Sequence, residues 1–212
     1  MGGYIHGACQ NGAIVRIILV TDGNKHGLKE KRYAEFIEAT ALLGISSGQL
    51  VFWEYYDGGL KAGENRLFKQ VEVEINNFDP AVVLYPHPSD RHSDHSVLGS
   101  IIEEVLSILP EPRSSVLAYR YLIHYWFFPL PRILVKDGSL IPPGKLMGLN
   151  HQWQQYILTP AAKQIKKAAV YKYRSQLKNP FLIPLLLGFI RPNELLENWS
   201  SCTENLSEQE FS

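Results

Sequence analysis

Cysteine is scarce: only Cys9 and Cys202 occur in 212 residues. That excludes a disulfide framework, and neither residue belongs to a C-x-x-C pair that would hold a metal. Isolated thiols are the usage of a reducing compartment, so a cytoplasmic location is expected. An excess of charge is missing too. Lys and Arg number 21 against 21 Asp and Glu, which leaves no reason to expect nucleic acid or an anionic membrane as partner. Long apolar runs are lacking. FLIPLLLGFI at 181–190 carries Pro184 and Gly188 and is far short of the ~20 residues of a bilayer span, so it reads as a buried C-terminal segment. The opening MGGYIHGACQNG has no charged-then-apolar layout and is not a signal peptide. There is no internal repeat. The length predicts one domain over 1–212, with a core over 1–120 and a C-terminal elaboration over 121–212.

What is present alternates. AIVRIILVTDGN (13–24) reads as a buried strand running into an Asp-Gly loop. Residues 29–43 show helical spacing through Tyr33, Phe36, Ile37, Thr40 and Ala41, with Gly44 as C-cap. LVFWEYY (50–56) is a second strand, residues 64–78 a second helix, AVVLYP (81–86) a third strand, and residues 94–108 a third helix capped by Ser93 or Asp94. Strand–helix alternation of this kind predicts an α/β fold, a parallel sheet with helices on both faces. Later, 114–128 reads as a strand, 129–144 as a hairpin around Asp137-Gly138, and 159–177 as a helix with Thr159 as N-cap and Pro160 at its first position. The aromatic tract 119–131 reads as core in preference to a substrate or subunit surface.

Ligand sites in such sheets lie at the carboxyl ends of the strands. Three polar loops leave those ends: Thr21-Asp22-Gly23-Asn24, Tyr56-Asp57-Gly58-Gly59, and PHPSDRHSDH (86–95). In the last, His92 and His95 are three apart across a loop-to-helix junction, a spacing that puts both on one face. Histidine is a common metal ligand, and Asp suits Zn(II) or another divalent ion. Asp90 and Asp94 are placed to orient the imidazoles through their second nitrogens. Arg91 should turn outward or onto a carboxylate.

The order VTDG, RYAEFIEATALLGI, YYDGGL, FDPAVVLYPHPSDRHSDH resembles the PIG-L/LmbE-like N-acetylglucosaminyl deacetylases over at least residues 2–100, and more weakly through Tyr173-Arg-Ser-Gln and Arg191-Pro-Asn-Glu-Leu-Leu. The resemblance implies a Rossmann-like three-layer fold. It implies an enzyme, a metal-dependent amide hydrolase that uses Zn(II), or sometimes iron, to remove an acetyl group from an amino sugar or sugar conjugate. By motif position it makes His95 a metal ligand and His92 the group that polarises the acetyl carbonyl. Asp90 and Asp94 become tuning carboxylates, and Arg32 and Asp57 substrate contacts.

The family's early A-H-P-D-D-E string, which supplies a His and an Asp ligand and the general base, does not occur in this sequence. Met1-Gly2-Gly3 instead matches the G-G that follows it. The expectation is therefore that the first, central strand is missing and that the chain is inactive as written. Either the start lies upstream or the chain is a fragment or degenerate relative. The alternative function is an inert saccharide-binding paralogue. A phosphate-binding reading of VTDGN is disfavoured, because one glycine makes a poor phosphate cradle.

Overall fold

Four of the five residues in IILVT are β-branched, the side chains that pack well on a pleated surface. In the computed structural model, which describes residues 1–24, 27–110, 116–134, 138–148 and 151–200, they form β1 (Ile17–Thr21), preceded by helix α1 (Gly2–Gln10). Helix α2 (Lys29–Leu42) leads to β2 (Leu50–Tyr55), which pairs in parallel with β1, Ile17 opposite Leu50 and Leu19 opposite Phe52. Gly44, at φ 96°, lets the chain leave α2 in a left-handed conformation. Helix α3 (Asn65–Phe78) leads to β3 (Val82–Pro86), and α4 (Ser93–Ser107) to β4 (Leu117–Tyr121), parallel to β3. Leu67, Val71 and Ile75 of α3 pack with Ile101 and Val105 of α4, Tyr85 and Ala118 in the main core.

The expected caps of α4 are corrected. Its N-cap is His92, with no side-chain capping bond. Ser93 begins the helix, and the Asp94 carboxylate is taken by a neighbouring loop.

Beyond β4 the sheet departs from all-parallel. Strands β5 (Gln152–Ile157) and β6 (Asn193–Trp199) had no signal in the sequence reading; β6 lies antiparallel to β4, and β5 antiparallel to β6. Helix α5 (Pro160–Val170) starts as expected, with the Thr159 hydroxyl accepting from the Ala162 N–H at 3.1 Å. It stops seven residues short of 177. Buried Glu35 of α2 draws the chain away, accepting from the Ser175 N–H at 2.7 Å and its hydroxyl at 2.6 Å. Helix α6 (Ile183–Gly188) buries Leu185, and Phe181, just before it, is 87% exposed. The hairpin turn at Asp137 lies outside the described residues; 129–134 and 138–143 contain no strand.

Among the described residues the strands form two sheets, β2-β1 and β3-β4-β6-β5. The break falls between β1 and β3, where the expected order has a central strand. An apolar cavity of about 890 Å³ runs there, bounded by Ile18 and Val20 of β1, Val83 and Tyr85 of β3, Ile75 of α3 and Leu43 beyond α2. Helices cover both faces: α1 and α2 pack on α5, and α3 packs on α4.

Candidate active site

The C-terminal ends of β1, β2 and β3 converge. Asp22, after β1, accepts from the Asn24 and Asp57 N–H groups through Oδ1, at 3.0 and 3.1 Å. Asp94, in the first turn of α4, accepts from the Gly58 N–H at 2.7 Å and the Leu60 N–H at 3.2 Å. The three polar loops therefore brace one another. Gly99 sets how closely α4 approaches the loop before it, since a Cβ there would lie 2.3 Å from the Pro86 carbonyl oxygen. Any side chain at 99 would push the helix off that loop.

Asp90 is the most heavily bonded group of the site. Its Oδ2 accepts from the Ile123 and His124 N–H groups, both at 2.9 Å; its Oδ1 accepts from the His92 N–H at 2.9 Å and lies 3.3 Å from His95 Nδ1. Burial alone would push its pKa up, but His95 and these N–H groups outweigh that and hold it below the ordinary 3.8. His95 Nδ1 is buried beside Asp90, in ion-pair contact but without a hydrogen bond. His92 Nδ1 is buried with no hydrogen-bond partner.

Arg32 of α2 and Asp57 after β2 meet: Arg32 Nη1 donates to Asp57 Oδ2 at 3.3 Å and to the Gly23 carbonyl at 2.7 Å. Asp57, His92 and Asp94 each offer a ligand atom within 4.8 Å of the others. Arg91 is exposed, stacked at 3.5 Å over the Trp126 ring rather than on a carboxylate. The aromatic tract divides: Leu122 and Phe128 are buried, whereas Trp126, Phe127 and Leu130 are exposed.

Two groups escaped the sequence reading. His124, after β4, brings its ring 5.5 Å from His92 and 5.3 Å from His95. Burial first, then the two neighbouring imidazoles, lowers its pKa to about 4. The signal was available: β4 runs parallel beside β3, so the residues just after it reach the same mouth. The second group is His87, His151 and Glu197, also close enough to share a cation. Here Glu197 Oε2 lies 2.6 Å from His87 Nε2 and Oε1 contacts His151 Nδ1. His87 Nδ1 accepts from the Ser89 N–H at 2.8 Å, so the proton of neutral His87 sits on Nε2 and leaves no lone pair for a metal there. His6, on α1, has Nδ1 3.4 Å from the Leu43 carbonyl. His26 lies outside the described residues.

The donor set is oxygen and imidazole nitrogen, the chemistry of Zn(II) or Fe(II). The buried, unpartnered His92 Nδ1 fits a cation or a polarised ligand in the mouth.

The chain is an α/β protein with a histidine–carboxylate mouth at the ends of its strands. The chain belongs to the PIG-L family, described as GlcNAc-PI de-N-acetylase, which matches residues 1–106. Among solved structures it is similar to the conserved protein TT1542 from Thermus thermophilus, with TM-score 0.62 and 22% identity over 87% of this chain and 77% of that one. It is similar to N,N'-diacetylchitobiose deacetylase from Pyrococcus horikoshii, with TM-score 0.63 and 19% identity over 95% and 78%. It is also similar to 4-carboxy-2-hydroxymuconate hydratase from Pseudomonas putida, with TM-score 0.56 and 17% identity over 97% and 92%. At such identities these likenesses establish the fold. Comparison by sequence with the curated proteins finds no match. No helix among the described residues is long and apolar enough to cross a membrane.

Proposed function

We propose that the chain is a metal-dependent N-deacetylase acting on an N-acetylated amino sugar or sugar conjugate. The reading is carried by the convergence of His92, Asp57 and Asp94 at the mouth of the sheet, with the His95 ring 4.8 Å from that of His92, in a chain of the PIG-L family. Hydrolysis of the acetamide breaks its C–N bond and releases acetate and a free amine. A divalent ion, Zn(II) or Fe(II), supplies Lewis-acid activation of the carbonyl when bound. His95, held beside Asp90, would offer an imidazole nitrogen to it. His92, with its own N–H anchored on Asp90, presents an imidazole to the carbonyl oxygen as negative charge develops there. Arg32 and Asp57 present a guanidinium and a carboxylate to the sugar hydroxyls.

One observation favours a second reading, an inert saccharide-binding protein. Both Asp94 oxygens accept backbone N–H bonds and Asp57 is paired with Arg32, so the carboxylates of the mouth are already engaged. A catalytic zinc site needs about three protein ligands and an open position.

Metal content by mass spectrometry, read beside acetate release from an N-acetylglucosamine conjugate, decides between them. The chain is compared with a version extended upstream. The deacetylase reading expects one ion per extended chain, and acetate release lost in His95→Ala. No ion in either form, with saccharide binding indifferent to chelator, would leave the binding reading standing.

A further inference from the structure

We propose that the rim around Trp126 and Phe127 is an interfacial anchor, which docks the mouth of the sheet onto an anionic lipid surface. The protein lies on that surface and does not cross it. This inference concerns the face beside the mouth and does not depend on the reaction proposed above.

Three observations carry it. First, the rim is apolar where it meets water. Trp126, Phe127, Leu130, Ile133, Ile141 and Met147 are each more than half exposed. Buried Arg191 donates to the Pro131 carbonyl at 2.5 Å and to the Gly138 carbonyl at 3.3 Å, so the two segments that carry them lie side by side. Single exposed apolar side chains are ordinary, but a cluster of them marks a surface that meets a partner. Second, the rim is held firmly. Phe128, Leu140 and Leu146 root it in one buried cluster with Leu122 and Leu195. The Phe128 N–H donates to the Tyr125 carbonyl at 3.2 Å, and Arg132 Nη2 donates to the carbonyls of Tyr125 and Phe128 at 3.1 and 3.3 Å. The turn so formed holds Phe127 at φ 52°, a left-handed conformation unusual for a bulky residue, with its ring in solvent. A ring fixed in this way loses little further freedom on docking. Third, the charge of the rim has one sign. Among the described residues between 116 and 148 there are Arg120, Arg132 and Lys145 but no Asp or Glu. Arg120 pairs with Glu103 and Glu197, which leaves Arg132 and Lys145 at the rim. Arg91 joins them, stacked on Trp126.

The chemistry of the partner follows from this composition. Trp, Phe, Leu and Ile beside Arg and Lys, without carboxylates, suit the boundary between acyl chains and headgroups: the apolar side chains enter, and the cations meet phosphate. The balance of 21 basic and 21 acidic residues over the whole chain conceals this local asymmetry. The rim is also tied to the mouth. The Ile123 and His124 N–H groups donate to Asp90, and the Arg91 N–H donates to the His124 carbonyl at 2.6 Å. A surface docked on the rim therefore lies beside the loop that carries His92.

The test is sedimentation of the full chain with vesicles of equal parts phosphatidylcholine and phosphatidylglycerol, and with vesicles of phosphatidylcholine alone. The protein should sediment with the anionic vesicles and be released as salt is raised. Phe127→Asn keeps a residue suited to positive φ and removes the ring; it should weaken the partition about 10-fold. Arg91→Gln should weaken it about 5-fold. Ile108→Ser, beyond the end of α4 that lies away from the mouth, should change nothing. All three side chains are exposed, so the denaturant midpoint should not move. No sedimentation with the anionic vesicles would overturn the proposal. So would binding that Phe127→Asn leaves intact, or that Ile108→Ser weakens as much, since the lipid would then meet another surface. Equal binding to both kinds of vesicle would remove the role of the cations and overturn it too. Self-association without lipid, lost in Phe127→Asn, would make a second copy the occupant of the rim and would likewise overturn it.

Discussion

Strands β1 and β6 invert the usual relation between polarity and burial. β1 is IILVT, yet every one of its residues is only half-buried. β6 is NELLENW, and its first five residues are buried. The difference lies in what stands on either side. β6 runs between β4 and β5, and its buried polar side chains have partners. Asn193 accepts from the Leu140 N–H at 2.7 Å and donates to its carbonyl at 3.0 Å. Glu194 takes Lys166 Nζ at 2.7 Å and the Gly3 N–H at 2.8 Å. Glu197 takes His87, His151 and, at 3.5 Å, Arg120. β1 has a strand on one side and the cavity on the other. Apolar composition creates the demand for burial; neighbours in the sheet decide whether it is met.

The sharpest way to break this comparison is at Glu197. Removing one partner of a buried ionic group leaves the others uncompensated, at a cost of about 3–5 kcal/mol. Glu197→Ala should therefore destabilise by that amount in denaturant unfolding, with His87 and His151 losing their carboxylate partner and Arg120 keeping only Glu103. A loss below about 1 kcal/mol would mean that water replaces the carboxylate and that β6 is not held by its charges.

Acid should weaken the molecule in two stages. In metal-free protein His124 titrates at about 4 against an ordinary 6.5, so the unfolded chain takes up that proton first. Stability then declines as pH falls from 6.5 toward 4. Asp90, Glu194 and Glu197 are each held below their ordinary carboxylate values. Burial opposes this in all three, and is outweighed by His95 for Asp90, by the N-terminal amine and Lys166 for Glu194, and by His87 and His151 for Glu197. The stability they contribute is present above the unfolded carboxylate range and is lost as pH falls through their folded values. His124→Gln should flatten the first stage, by up to about 3 kcal/mol, and leave the second. Parallel profiles of the two proteins across the first stage, measured by denaturant midpoint, would remove His124 from the explanation.

The same contrast explains what could be read in the sequence. The first three strands and their helices were legible because they are local: apolar runs end at Asp-Gly turns, and the helices carry a 3.6-residue stripe. The strand-end loops of the site followed from topology, and Arg32, Asp57, Asp90, His92, Asp94 and His95 all lie in one mouth. β5 and β6 were not legible. QWQQYI and NELLENW carry charges and amides whose burial depends on partners 28 to 191 residues away, and no local pattern encodes that. His124 differs from them: no local pattern marks it, but the parallel placement of β4 beside β3 carries the residues after β4 to the same mouth. The end of α5 was set by Glu35, 140 residues distant from Ser175.

The smallest expected effect is at Ile18. In a packed core, trimming Ile to Ala costs about 2–5 kcal/mol, because the lost transfer energy is joined by the energy of a new cavity. At Ile18 the cavity already exists, and the side chain is only partly withdrawn from water. The second contribution is then largely absent and the first reduced, leaving about 1 kcal/mol. Leu67→Ala, at a residue with no exposed surface, should show the full core cost and serves as the internal reference. If Ile18→Ala proves as damaging as Leu67→Ala, the cavity side of β1 is packed as tightly as the core, and the difference between β1 and β6 would lie in composition alone. If the two differ by about 2 kcal/mol or more, the cavity side of β1 is loosely packed, and it is the setting of β1 and not its composition that limits what its side chains contribute.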